Sequence, residues 1–330
     1  MMLRVEYQQS KSLHKIIAVL LIASAFIICV SCEKKSPPET GDKFYNADND
    51  SLINIDPDLI GYYEISTLPV RVGVVNALHV DQHDIIYIGS GNAVSIADAL
   101  GRRFNTIDVG DTVRSITTHE NGDIYVASQK RIDIFDFEGV RKNAWEMENE
   151  RTFFTSVAVS GKNIFIADAG ERIVLRSDTA GKPLGRIGVK DAARGISGFK
   201  IPSANFGLAI GQDGSLWAAN TGHHKLQNFR PNGDLISEWG EAGAQTAAFC
   251  GCCNPIRFTL LGDGSFVTGE KGFSRVKIYN QAGKFVTVVA PPSAFKGPKA
   301  ITALAADSQG TIYIADAYEK AIRRFKRKQE

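Results

Sequence analysis

The sequence predicts an all-β chain folded as a six-bladed β-propeller of four-stranded antiparallel blades, and three observations carry that prediction. The first is a short phrase that returns six times, apolar and mostly aromatic at its start, then small, then polar. It reads Ile86-Tyr87-Ile88-Gly89-Ser90, Ile124-Tyr125-Val126-Ala127-Ser128, Ile164-Phe165-Ile166-Ala167-Asp168, Leu216-Trp217-Ala218-Ala219-Asn220, Phe266-Val267-Thr268-Gly269-Glu270 and Ile312-Tyr313-Ile314-Ala315-Asp316. The second is its spacing: from Tyr87 through Tyr125, Phe165, Trp217 and Val267 to Tyr313 the steps are 38, 40, 52, 50 and 46 residues. A period of roughly 40–50 residues built from short strands marks a propeller. The third is that each phrase sits inside a unit of alternating apolar runs broken by Gly- and Asp-bearing turns, the pattern of one four-stranded blade.

Residues 1–31 stand apart from that pattern. Arg4, Lys11 and Lys15 form a basic start, an apolar run covers residues 16–30, and Ser31-Cys32 follows. The run is shorter than the ~20 residues of a spanning helix, and its flanks are those of a secretory signal. Val30-Ser31-Cys32 resembles the end of a bacterial lipobox, with Cys29 where that motif usually has leucine. The resemblance implies cleavage before Cys32, diacylation of that cysteine, and a place in the bacterial cell envelope, membrane-anchored and facing the periplasm or exterior. Ordinary secretion with Cys32 incidental is the other reading. Residues 32–56 read as a polar tether, because residues 33–43 (EKKSPPETGDK) hold too little apolar content to pack.

The signal segment carries three bases and one acid of a chain whose net charge is +2, so the remainder is near neutral. Nucleic-acid binding needs a basic footprint, and that class is excluded. The run Arg323, Arg324, Lys326, Arg327 and Lys328 reads as a solvated chain end. A single propeller, monomeric, occupies residues 57–330.

The fifth blade parses most clearly, into strands at residues 256–260, 265–269, 275–279 and 284–289. The same parse places blades near residues 75–111, 113–151, 154–204, 205–255, 256–299 and 300–328. The last has three strands, at residues 301–306, 311–315 and 321–325, and no fourth. Residues 59–65 form a strand without a blade, and supplying that missing outer strand closes the ring. Closure removes two exposed sheet edges.

Ala219-Asn220-Thr221-Gly222-His223-His224-Lys225-Leu226-Gln227-Asn228-Phe229, followed by Asn232-Gly233, resembles an NHL repeat. So do Ile166-Ala167-Asp168-Ala169-Gly170-Glu171-Arg172-Ile173 and Ile314-Ala315-Asp316-Ala317. The resemblance covers nearly all of residues 57–328 and implies a six-bladed propeller that is usually a binding platform and in some branches an enzyme. Ser90 and Ser128 depart from the Asp or Asn usual at the phrase end.

Candidate sites follow from this frame. Ser90, Ser128, Asp168, Asn220, Glu270 and Asp316 share one position around the ring. They form either a polar annulus facing a ligand or a cation such as calcium, or turn residues bonded to their own backbone. Glu270 fits the turn reading least, since its side chain is long. His224 falls where NHL repeats carry a structural histidine, and no three histidines can be placed on one face as in the zinc-holding, peptide-amidating branch of the fold.

Cys250, Cys252 and Cys253 interrupt a Phe-x-x-Pro-type link, lengthening it to Phe249 through Pro255, where Phe199-Lys200-Ile201-Pro202 and Phe295-Lys296-Gly297-Pro298 keep the short form. Three thiols leave three readings open: a disulfide with one spare thiol, a soft-metal or redox thiol site, or covalent attachment to a partner or cofactor. The long 188–202 link lies beside this one, and Lys200, Arg257, Glu270 and Lys271 are placed near the same channel mouth. These features point to a lipid-anchored binding or protein-interaction module, with a protein partner at the membrane and an accessory role to a membrane redox assembly. The alternative is a divalent-cation-dependent, lactonase-like hydrolase or lyase. No Ser–His–Asp arrangement, phosphate-cradling loop or paired-carboxylate spacing singles out a reaction, and no cofactor is specified.

Overall fold

The computed structural model describes residues 52–70 and 73–329. The signal segment and Cys32 lie outside the described residues. Strand β1 (Tyr62–Pro69) precedes the first blade, which is β2 (Val75–Val80), β3 (Ile86–Ser90), β4 (Ala93–Ala97) and β5 (Arg103–Asp108). Blade two is β6 (Ser115–Thr118), β7 (Ile124–Ala127), β8 (Arg131–Phe135) and β9 (Arg141–Glu146). Blade three is β10 (Phe154–Ser160), β11 (Asn163–Asp168), β12 (Ile173–Ser177) and β13 (Pro183–Ile187). Blade four is β14 (Leu208–Ile210), β15 (Leu216–Asn220), β16 (Lys225–Phe229) and β17 (Leu235–Trp239). Blade five is β18 (Arg257–Leu260), β19 (Phe266–Glu270), β20 (Arg275–Tyr279) and β21 (Phe285–Ala290). Blade six is β22 (Ile301–Ala306), β23 (Ile312–Asp316) and β24 (Ala321–Arg327), with β1 as its outer strand.

Each sheet is an antiparallel meander of four strands, and all six recurring phrases fall on second strands. The apolar residues fill the seams between blades. The phrase aromatic of one blade packs into the next: Tyr87 against Ile116 and Phe135, Tyr125 against Val157 and Ile166, Phe165 against Phe206 and Phe229. Trp217 meets Phe258 and Phe266, Val267 meets Ile301 and Ile314, and Tyr313 closes the circle on Val75 and Ile86. Six clusters thus occupy the six seams. A flat sheet hides one face only by stacking on another, and in a ring every sheet has two neighbours.

The two chain ends meet where the sequence placed the closure. β1 pairs antiparallel with β24 from Tyr62 opposite Arg327 to Pro69 opposite Ala321, so the borrowed strand begins later and runs longer than residues 59–65. Those earlier residues instead clamp onto blade five. Ile60 bridges Val288, Gly61 N donates to Thr287 Oγ1 at 2.8 Å, and Thr287 Oγ1 donates to Leu59 O at 2.8 Å. Arg323 fastens the seam: it reaches Glu64 at 2.6 Å and Asp316 at 3.2 Å and is buried, while Arg324 bonds Ser66. Arg323 and Arg324 are therefore part of the closure, while the side chains of Lys326, Arg327 and Lys328 are exposed. Leu52 and Ile55 are also buried, so packing reaches back into the stretch expected to be tether.

Gly61 is required by close approach, since a Cβ there would lie 2.5 Å from Thr287 Oγ1. Gly61→Val should displace that hydroxyl, break both of its clamp bonds and lower stability by about 1–3 kcal/mol, read as a shifted urea midpoint. A change under about 0.5 kcal/mol, the size of an ordinary surface substitution, would show that the clamp contributes nothing to closure.

Candidate functional site

The innermost strands β2, β6, β10, β14, β18 and β22 enclose a channel of about 460 Å³. In each blade the first strand begins, and the second ends, at the same face. One mouth therefore carries the phrase ends and the link bearing Cys250, Cys252 and Cys253. The opposite mouth carries the first hairpins, with Asp81, His83, His119 and Glu120. His79, inside the channel toward that second mouth, is pushed down to about 4 by burial and bonds Thr118 Oγ1 at 2.9 Å. It is a neutral wall residue.

Most of the expected polar annulus is consumed by the protein itself. Asp168 is buried and accepts the backbone N–H groups of Phe153, Gly170 and Glu171. Asn220 is buried, accepts from Lys200 N and donates to Gly198 O and Gln227 Oε1. Asp316 accepts from Tyr318 N and Glu319 N and pairs with Arg323. Ser128 is buried, and Ser90 is half-buried. Short acceptors at a strand end fold back on nearby backbone, so Asp168, Asn220 and Asp316 are removed from the ligand-facing set. Among the described residues no three His, Cys, Asp or Glu side chains converge as a metal-binding group.

Glu270 has a different fate. It is buried and pairs with Arg275 Nε at 2.8 Å and Lys277 Nζ at 2.8 Å, while Cys250 N donates to it at 3.0 Å. Burial pulls its carboxyl upward, but Lys277 and Arg275 outweigh that and hold it below the ordinary value. Burial takes Lys277 down to about 8 against the pull of Glu270. Arg275 and Lys277 then donate to carbonyls of the thiol-bearing link, Arg275 to Ala248 O at 2.9 Å and Lys277 to Ala248 O at 2.7 Å and Thr246 O at 3.0 Å. The triad is an internal post holding that link from below, and Glu270 too leaves the set of candidate ligands. The signal for it was two cations at alternate positions in the apolar strand β20, which place both side chains on one buried face.

The link is pinned elsewhere too. Phe249 stacks in the seam with Trp239 and Tyr279, His224 Nε2 donates to Gly251 O at 2.8 Å, and Asn254 exchanges bonds with the Lys271 backbone at 2.9 and 3.0 Å. His224 thus serves to fix the link through Gly251. The three thiols are free and part company: Cys250 is buried over the triad, Cys253 is buried toward the mouth, and Cys252 is exposed. Cys252 and Cys253 Sγ lie 3.2 Å apart. Burial raises Cys250. For Cys253 the lysine at 271, with Cys252 and Ser203, overcomes the burial penalty and holds the thiol below its ordinary value. The hydrogen bond to Cys253, then burial, raises Cys252.

A polar chain runs from this pair to the channel wall. Ser203 Oγ contacts Cys253 Sγ at 3.7 Å and receives Lys271 Nζ at 3.5 Å and Asn205 Nδ2 at 3.0 Å. Asn205 Oδ1 accepts Arg257 Nη1 at 2.8 Å, and Arg257 Nε donates to Thr302 O at 2.6 Å. Burial alone lowers Arg257 to about 10. Of the residues expected near this mouth, Arg257 lines the channel, Lys271 is half-buried beside the thiols, and Lys200 is exposed on the rim, its backbone tied to Asn220. Ser203, Asn205 and Arg114 were not legible, being brought in from two separate links.

No sequence-family model matches the chain, and no curated protein matches its sequence. Solved structures do match its fold. The WD40 β-propeller domain of Doa1 superposes with a TM-score of 0.58 at 14% identity, over 82% of this chain and 98% of that one. Virginiamycin B lyase from Staphylococcus aureus gives 0.55 at 12%, over 80% and 99%. A protein of unknown function from Bacteroides thetaiotaomicron gives 0.58 at 12%, over 80% and 71%. At these identities the likeness is one of architecture, that of a β-propeller.

Glu270→Ala would leave two buried cations without a counter-charge and should cost about 3–5 kcal/mol, measured by chemical denaturation. Because the native carboxyl sits below the ordinary 4.5, the unfolded chain binds the proton first as pH falls. The stabilisation is thus complete above that value and lost as pH drops through the native one. A wild-type acid limb no steeper than that of the variant would contradict this assignment.

Proposed function

We propose that the chain is a lipid-anchored, extracytoplasmic propeller of the NHL type that binds a protein partner at the membrane through the face bearing residues 250–255. The observation that carries this reading is the preorganised rim. A six-residue link is fixed by buried charge from below, by Asn254 and by His224, and it holds the exposed Cys252 and the activated Cys253 thiol beside Lys271. Rigid scaffolds place function on such links, and binding to a preordered surface avoids the entropy cost of fixing it. The thiol pair suits an accessory role to a membrane redox assembly. The structural likeness to a WD40 domain supports an interaction module in general terms.

A second reading, an enzyme working in the channel, is favoured by the cavity itself and by the likeness to virginiamycin B lyase. The histidines, carboxylates and thiols of the described residues supply no three-ligand metal group for a cation-dependent hydrolase or lyase, so binding is the better-supported function.

Three measurements test the proposal. Cys32→Ser should move the protein from the membrane fraction to the soluble fraction; unchanged partition removes the anchor. Cys252→Ser/Cys253→Ser should abolish capture of the membrane partner while preserving the circular dichroism spectrum. Equal capture by wild type and variant counts against the rim. In the same preparations, Lys271→Gln should move the pH midpoint of Cys253 alkylation upward, because the cation that favours the thiolate is gone.

A further inference from the structure

The channel mouth beneath the thiol-bearing link is built of donors. Arg257, at the start of β18, spends Nε and Nη1 on Thr302 O, Ile256 O and Asn205, and its Nη2 carries no partner among the described residues. Arg114, just before β6, stacks over the Phe153 ring at 4.2 Å, and its Nε is buried without a hydrogen-bond partner. Neither guanidinium makes an ion pair with any described carboxylate, although Asp111 lies close enough to Arg114 to act on it through space. Both line the channel, and they come from blades two and five, which face each other across a six-membered ring.

Apart from Asp111, which does not line the cavity, the neighbours at this level add further polarity without adding acid. Asn76 and Thr155 line the cavity, and each sits where its innermost strand bulges, between Val75 and Ala77 and between Phe154 and Ser156. A bulge turns an extra side chain out of the strand's alternation, here toward the channel mouth. Asp81 and Glu120, the carboxylates lining the same cavity, belong to the opposite mouth. Buried guanidinium charge is costly without a counter-charge, and a planar fork of N–H donors matches a carboxylate or phosphate group.

We propose that this mouth of the channel is a binding site for a small oxyanion-bearing ligand, its carboxylate or phosphate group held between Arg257 and Arg114 with Asn76 as a further donor. The site is separate from the protein-binding rim and stands whether or not that rim captures a partner. Asn205 and Ser203 join the two through one hydrogen-bond chain, so an anion on Arg257 sits two side chains from Cys253.

The test is calorimetric titration of the purified full chain at low ionic strength with inorganic phosphate and, separately, succinate. Saturable binding of one probe is expected, and the probe that binds identifies the group. Arg257→Gln and Arg114→Gln should each weaken it by about tenfold or more. Lys296→Gln, which alters an exposed lysine that pairs with Glu319 and does not line the channel, should leave binding unchanged. Binding of neither probe, equal binding by both arginine variants, or an equal loss in Lys296→Gln would overturn the proposal. Should Arg257→Gln fail to fold, Arg114→Gln, whose guanidinium rests on one ring, decides it alone.

Discussion

Everything in this molecule depends on the seam between neighbouring blades. A four-stranded sheet of this size cannot bury its own faces. The aromatic or branched residue of each second strand therefore pushes into the apolar wall of the next blade, six times around. The phrase recurs because every blade must present the same shape to its successor, and the period is the length of chain needed to make one sheet and reach the next. It also explains why the final blade must be completed. Without β1, the outer edge of β24 would stand unpaired. Closure is further secured across two blades, by Thr287 holding residues 59–61 and by Arg323 joining Glu64 to Asp316.

Against that regular frame, the departures are informative. The links from blade three to four and from blade four to five are both longer than the others, and Glu270, Arg275 and Lys277 form a buried charged cluster under the second of them, where most of the interior is apolar. Such a cluster stabilises little relative to an apolar replacement, since desolvation cancels much of the attraction. What it adds is geometry: two cations aimed at the carbonyls of Thr246 and Ala248 hold the link in one conformation. The thiols are placed by this arrangement. Cys250 is drawn inward, and Cys252 and Cys253 are left together at the rim. The channel below is polar at both ends, with histidines and acids at one mouth and unpaired arginines at the other.

The phrase ends were open to two readings, a ring of ligands or turn residues bonded to nearby backbone. All six lie at one face, yet Asp168, Asn220 and Asp316 terminate their strands by capping nearby backbone, and Glu270 neutralises two cations. Residue type alone could not separate these fates, because Asp and Asn serve turns and ligands with the same atoms. Arg257 and Lys271 were legible as mouth residues because their strand positions follow from the blade parse. Ser203 and Asn205 were not, since they sit in an irregular link whose path is set by tertiary contacts. Asn76 and Thr155 were hidden by their bulges, which show only in strand pairing.

The sequence by itself determined the number of blades, the order of strands within each and the meeting of the two chain ends. Those features rest on local signals: alternation along a strand, glycine and aspartate at turns, and a repeat whose last copy lacks one strand. Which polar groups remain available for a ligand was decided only by the tertiary structure. A side chain is free or spent according to partners that lie from a few to more than fifty residues away along the chain, as Asn205 is from Ser203 and from Arg257. No pattern within one repeat records those distances, because they arise when six separate sheets close on a common axis.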